Sequence, residues 1–193
     1  MSTTVAEERL TTAEFLKKYG HCSGVELVRG RVVWGGQDSR DRTKEARMAK
    51  FRHGVICNNA ARLIDAFVRA NDLGWIAIND TFVPVTPDTV RGADVLYVSY
   101  ARVPKGEAPE DLPGAPDLVI EVRSPTDRWT AMVAKMLEYI AAGVTVVVIL
   151  DPKTKSASVF RGDDRQDIFE TADTLTLPDV LPGFAVPVAR FFE

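Results

Sequence analysis

Hydrophobic and polar positions along the chain change period several times, and each change marks an element. Thr11-x-x-Glu14 is a capping box that predicts a short helix ending near Gly20. Residues 25–33 alternate around Arg29-Gly30, the pattern of a β-hairpin. A long helix is expected over 43–71, where Ile56, Ala60, Leu63, Ile64 and Phe67 form one apolar stripe. His53 projects onto the same stripe, one turn before Ile56. Two short strands, 75–79 and 81–85, then precede a third at 94–99. Residues 103–116 hold four prolines and two glycines and read as a surface loop. Ser124-Pro-Thr-Asp127 offers turn and N-cap residues for a helix over 128–142, which Gly143 ends. The β-branched run 144–150 predicts a central strand buried on both faces, and 156–161 with 166–170 a last hairpin. The proline-rich tail from Leu181 is not helical. This order predicts an α/β (α+β) fold: a central mixed β-sheet flanked by helices, in one domain over 1–193.

One strand breaks the apolar rule. In residues 116–125, Leu118, Ile120 and Val122 share one face, which leaves Asp117, Val119 and Glu121 on the other. A carboxylate on a buried strand costs several kcal/mol unless it is paired, protonated or bound to a metal. Two readings are open, an edge strand with a wet polar face and a functional site.

Composition narrows the class. Hydrophobic residues make up 46% and charged residues 26%, as in an ordinary globule, and no apolar run approaches the length of a membrane span. The N-terminus lacks the basic start and apolar run of a secretory signal. Cys22 and Cys57, at unrelated spacing, suggest neither a disulfide framework nor a zinc site, so a cytoplasmic location is expected. The net charge of −3 argues mildly against a nucleic-acid coat protein. Against that balance, Arg40, Arg42, Lys44, Arg47, Lys50 and Arg52 face only Asp41 and Glu45, a local +4. Such a run is a solvated helix face or, if it borders the carboxylates, a phosphate-contacting one.

Asp94, Glu121 and Lys135 are the candidate reacting groups. On the helix after Glu121, Trp129, Met132, Met136, Tyr139 and Ile140 mark the buried face, and Lys135 lies at its edge. Glu121 sits roughly 10 Å before the end of its strand and Lys135 roughly 10 Å into the helix, so a helix folding back sets them at one height. Two acids and a lysine so placed suit Mg2+ or Mn2+ and phosphodiester hydrolysis, and equally a structural salt-bridge network.

Further residues carry a resemblance: Glu26-Leu-Val-Arg-Gly30, His53, Gly92-Ala-Asp94-Val, Pro116-Asp-Leu-Val-Ile-Glu121-Val, Ser124-Pro125, Lys135 with Glu138-Tyr139, Gly143-Val144, Asp151-Pro152 and Leu181-Pro-Gly-Phe184. In this order and spacing the chain resembles the Uma-two-type restriction endonuclease family of the PD-(D/E)XK nuclease superfamily. The resemblance implies a restriction-endonuclease-like core that cuts DNA with Mg2+ or Mn2+. It implies Asp94 and Glu121 as metal ligands and Lys135 as the signature lysine moved to the following helix, with Arg123 standing in the usual lysine position. His53 falls where the superfamily places a helical acid, and a satisfied core histidine is the alternative. Arg42, Lys44, Arg47, Lys50, Arg52 and Arg123 are the expected phosphate contacts, DNA the expected partner, and a homodimer is allowed. Three departures stand out: Ala93 replaces the usual proline, Ala131 an acid one turn before Lys135, and the strand after Gly143 lacks an aromatic pair. A nuclease fold kept as a DNA-binding or interaction module is therefore the alternative function.

Overall fold

The computed structural model describes residues 9–22, 24–34, 51–125, 127–163 and 165–193. Helix α1 (Thr12–Tyr19) opens on the expected capping box, with Thr11 and Glu14 each bonded to the other's backbone N–H. Strands β1 (Val25–Val28) and β2 (Arg31–Trp34) form the expected hairpin; Arg29 and Gly30 turn through φ of 50° and 78°, the left-handed pair that tight hairpins need. Helix α2 runs Phe51–Ala70, buries Ile56, Ala60, Ile64 and Val68, and so confirms the stripe. The expected N-terminal part of that helix, with Lys44, Arg47 and Lys50, and Arg42 just before it lie outside the described residues.

The two short strands expected next are one strand. β3 (Gly74–Thr86) pairs with β4 (Thr89–Ser99) almost throughout, and its register slips between Ile78 and Thr81. Asn79 and Asp80 occupy the slip with φ of 72° and 55°, so the turn residues make a β-bulge where a chain break was expected. β5 (Leu118–Val122) is buried at every position and lies between β4 and β6 (Val146–Asp151), which rules out the wet edge strand. Its pairing with β6 is parallel, and helix α3 (Trp129–Ala141) makes the crossover. β7 (Ser156–Arg161) and β8 (Gln166–Phe169) add the last hairpin to the sheet. The tail carries a pair the sequence reading did not contain: β9 (Thr174–Leu177) and β10 (Leu181–Pro187), followed by a 3-10 turn at Val188–Phe191. Prolines 182 and 187 escape the ladder's demand for donors by sitting at exposed positions of this small sheet.

Packing makes three layers. One face of the sheet, with Val95, Tyr97, Leu118, Ile120, Val122, Val146, Val148 and Leu150, takes the stripe of α2 together with Leu175, Leu177, Leu181, Phe184 and Phe191 of the tail. The opposite face, with Leu96, Val98, Val119, Val147, Ile149 and Phe160, takes Met132, Met136 and Tyr139 of α3. The buried face expected for α3 holds except at its first turn, where Trp129 is exposed. Asp127 does not cap that helix: its carboxylate accepts from the Ser124 N–H at 2.7 Å, and Arg128 is an N-cap with no side-chain bond. Among the described residues no helix is long and apolar enough to cross a membrane.

Candidate active site

β4 is the strand that organises the site. β3 occupies one of its edges from end to end. The other edge is shared: β1 meets it at Val90, and β5 meets it from Val95 onward. Between these two contacts, residues 91–94 have no strand on that side among the described residues, and their polar groups find side chains. Gly92 shows the consequence, because its N–H donates to Glu26 at 3.1 Å and its carbonyl accepts from Lys135 at 2.8 Å. A Cβ at position 92 would stand 3.2 Å from the Asp80 Cβ, so glycine lets the bulge close over the gap.

Into this gap the fold brings the three candidate groups. Lys135 Nζ lies 3.0 Å from both carboxylate oxygens of Glu121 and 3.2 Å from Glu26 Oε1. The height argument for Glu121 and Lys135 therefore ends in contact. The Tyr139 hydroxyl donates to Glu121 Oε1 at 2.9 Å. Asp94 stands next to the pair: its Oδ2 accepts from the Val122 N–H at 2.7 Å, and its Oδ1 lies 3.3 Å from His53 Nε2. His53 thus arrives from α2 on one side of the sheet and Lys135 from α3 on the other. Glu26 is held by Arg91, whose guanidinium also binds Glu138 at 2.7 Å. The acid missing at Ala131 leaves no hole, because Ala131 is exposed and Glu26 together with the Gly92 carbonyl orients Lys135.

The charges explain the titration behaviour. Burial pushes Glu121 up from 4.5 to about 8, against the opposing pull of Lys135, and the nearby Asp94 charge adds to the rise. Burial alone would lower Lys135, but Glu121 and Glu26 together hold its ammonium well above the usual range. Burial would likewise raise Glu26, and Lys135 and Arg91 carry it below its ordinary value. His53 rises to about 10, chiefly through its bond to Asp94, so the ring is an imidazolium at neutral pH. The Cys57 side chain adds to the rise, and among the described residues His53 Nδ1 is buried with no geometrically well-formed hydrogen bond.

Two expected groups have other partners. Arg123 shares a strand face with Glu121 but binds Asp151 at 2.6 Å and lies over the Trp129 ring, so it does not pair with the site carboxylate. Arg52 is exposed and donates to the Pro152 carbonyl at 3.0 Å. Asp117, the other acid of the expected strand, lies just before β5: it accepts from the Ser99 N–H and pairs with Arg102. The gap also contains residues the sequence reading passed over. Asp80 on the bulge is raised by burial and by the charge of Asp94. The Cys57 sulfur comes within 4.8 Å of ligand atoms of both His53 and Asp94. The signal for Asp80 was the Asn-Asp pair, and that for Cys57 its place four residues after His53 on one helix.

Comparison with known proteins agrees with this architecture. The chain is similar over 95% of its length to the crystal structure titled a putative nuclease belonging to DUF820 from Anabaena variabilis, of which 97% is covered, with a TM-score of 0.79 and 19% identity. That likeness establishes a shared fold. No curated protein sequence matches. The model of the family described as "Uma2: Putative restriction endonuclease" matches residues 43–189, which takes in α2, Asp94, Glu121, Lys135 and both strands of the tail but not Glu26. The chain belongs to that family.

Proposed function

We propose that the protein is a metal-dependent endodeoxyribonuclease that hydrolyses phosphodiester bonds in DNA, with Asp94 and Glu121 holding Mg2+ or Mn2+. The observation that carries the reading is the meeting of Asp94, Glu121 and Lys135 where β4 changes neighbours. The donor set fits such an ion: two hard carboxylates on adjacent strands, one of them driven to retain a proton by burial that a cation would relieve. Both Asp94 oxygens and Glu121 Oε2 each have a second lone pair beyond the one contact they make, whereas Glu121 Oε1 already faces both Tyr139 and Lys135. A bound divalent ion would supply Lewis acidity at the phosphate and lower the pKa of an attacking water.

The chain's own groups do the rest. The Lys135 ammonium offsets charge that develops on the phosphate and orients the water beside Glu121. The His53 imidazolium fixes Asp94 through Oδ1 while the Val122 N–H fixes Oδ2, so the carboxylate is preorganised. At neutral pH His53 has no free lone pair for proton abstraction, and its role is positional and electrostatic. Arg52 and the preceding Arg42, Lys44, Arg47 and Lys50 are the proposed phosphate contacts; Arg123, already paired with Asp151, contributes less. A homodimer would supply two sites for the two strands of a duplex, and the free thiols of Cys22 and Cys57 suit a reducing cytoplasm.

A second reading also has an observation behind it. All three Lys135 donors are engaged, by Gly92, Glu121 and Glu26, which is what a purely structural network needs. Plasmid nicking decides between them. Wild type should cut in millimolar Mg2+ and stop in chelator, while Glu121→Ala should bind DNA without cutting. Cutting that survives Glu121→Ala rejects the assignment; binding without metal-dependent cutting in wild type favours the non-enzymatic module.

A further inference from the structure

Cys57 has no part in the chemistry above, yet it lies one helical turn from His53 on the face that meets Asp94. One ligand atom from each of His53, Cys57 and Asp94 lies within 4.8 Å of the others. Ligands around a tetrahedral zinc ion, at bonds of about 2.0–2.3 Å, stand roughly 3.3–3.8 Å apart. Closing the cluster onto an ion therefore needs shifts of about 1 Å, within the reach of rotamer adjustment at partly buried side chains. Two ligands four residues apart on one helix are a recurring zinc geometry, because that spacing puts both on one face.

We propose a second cation site in which His53, Cys57 and Asp94 take a thiophilic divalent ion, zinc, in competition with the harder ion held by Asp94 and Glu121. Three protein ligands leave a fourth position for water, as in zinc sites that are not closed. Binding replaces the proton that now joins His53 to Asp94, and it releases that proton and the thiol proton to solvent. Nitrogen and sulfur ligands favour zinc over magnesium by the ordinary affinity order, so micromolar zinc can compete with millimolar magnesium for Asp94. Zinc is then an inhibitor of the nuclease, not its cofactor. The competition rests on the role proposed above for Asp94 and Glu121, whereas the zinc site itself does not.

The test uses the full chain, metal-free, with zinc alone, cobalt as a spectroscopic substitute, and magnesium. Zinc should raise the melting temperature of wild type, and cobalt should give a near-ultraviolet thiolate-to-metal band. Cys57→Ser and Cys57→Ala should both lose the band and bind zinc at least tenfold more weakly, while Cys22→Ser should keep both signals. Two Cys57 replacements guard against one that folds poorly, since Cys57 packs partly against the core. Glu121→Ala should lose the response to magnesium and keep the response to zinc. An unchanged cobalt band in the Cys57 variants, or a band lost in Cys22→Ser, overturns the proposal by placing the ion elsewhere. A zinc response without any magnesium response in wild type sinks the magnesium reading and leaves the zinc site standing.

Discussion

Replacing Glu121 by Gln should stabilise the metal-free protein, and the gain should grow with pH. In the folded chain burial raises Glu121 to about 8, from 4.5. Between those values the unfolded state has lost its proton and the folded state keeps it, so stability falls as pH rises. Each pH unit across that window costs on the order of 1 kcal/mol, so the penalty is below about 1 kcal/mol at pH 5, about 3–4 at pH 7, and about 5 at pH 8 and above. Gln removes the ionisable group and keeps the shape, its carbonyl facing Lys135 and its amide the Tyr139 oxygen. The full gain at pH 7 corresponds to a melting-temperature rise of about 7–14 °C for a domain of this size. Urea unfolding in chelator at pH 5, 6, 7 and 8 measures it. Mg2+ should then reverse the order, since it displaces the Glu121 proton in wild type and finds no second carboxylate in the variant. A variant that is less stable at pH 8, or a difference that stays flat from pH 5 to 8, would refute the reasoning. The result expected is a trade of stability for function, as at other sites where burial is imposed on a working charge.

Other substitutions probe the remaining contacts. Lys135→Ala should cost about 1–3 kcal/mol, because it strips a donor from Glu121 and from the Gly92 carbonyl and one of two cations from Glu26, which Arg91 still holds. A helix-rim lysine would lose almost nothing, so denaturation separates the two, and adding Glu121→Gln should recover part of the loss. For His53, raised to about 10, the pair with Asp94 stabilises fully below about pH 6.5, and that contribution fades as pH rises through 10. His53→Gln should therefore flatten the stability profile between pH 7 and 10; an unchanged slope would reject the pair. Arg123→Ala should cost about 1–3 kcal/mol through its bond to Asp151 while leaving the Mg2+ response intact, and a lost response would return Arg123 to the metal site.

Local chemistry in the sequence was enough for several elements. The Thr11–Glu14 box, the Arg29-Gly30 turn and the stripe of α2 each depend on residues within a few positions of one another, and each forms as read. The bulge at Asn79-Asp80 shows the limit. Two turn-forming residues can end a strand or kink it, and only the continuous partner β4 makes the kink the outcome. The pair β9–β10 was hidden for a similar reason: four residues of alternating Thr and Leu gain little alone and become a strand by packing on the α2 layer.

The candidate site divides in the same way. The strand alternation of residues 118–122 already put Glu121 on the face opposite Leu118 and Ile120, and helical spacing already put Lys135 at the margin of α3. Periodicity fixes where a side chain points on its own element. What periodicity does not contain is which strand lies alongside which. The gap on β4 exists because β1 leaves that edge at Val90 and β5 joins it at Val95. That vacancy in the ladder is what draws Glu26, Lys135 and Tyr139 to Gly92, while the parallel pairing of β5 with β6 brings Arg123 to Asp151 and the packing of α2 brings His53 and Cys57 together beside Asp94. Unpaired backbone groups and buried charge are properties of the assembled sheet, so tertiary structure alone could decide them.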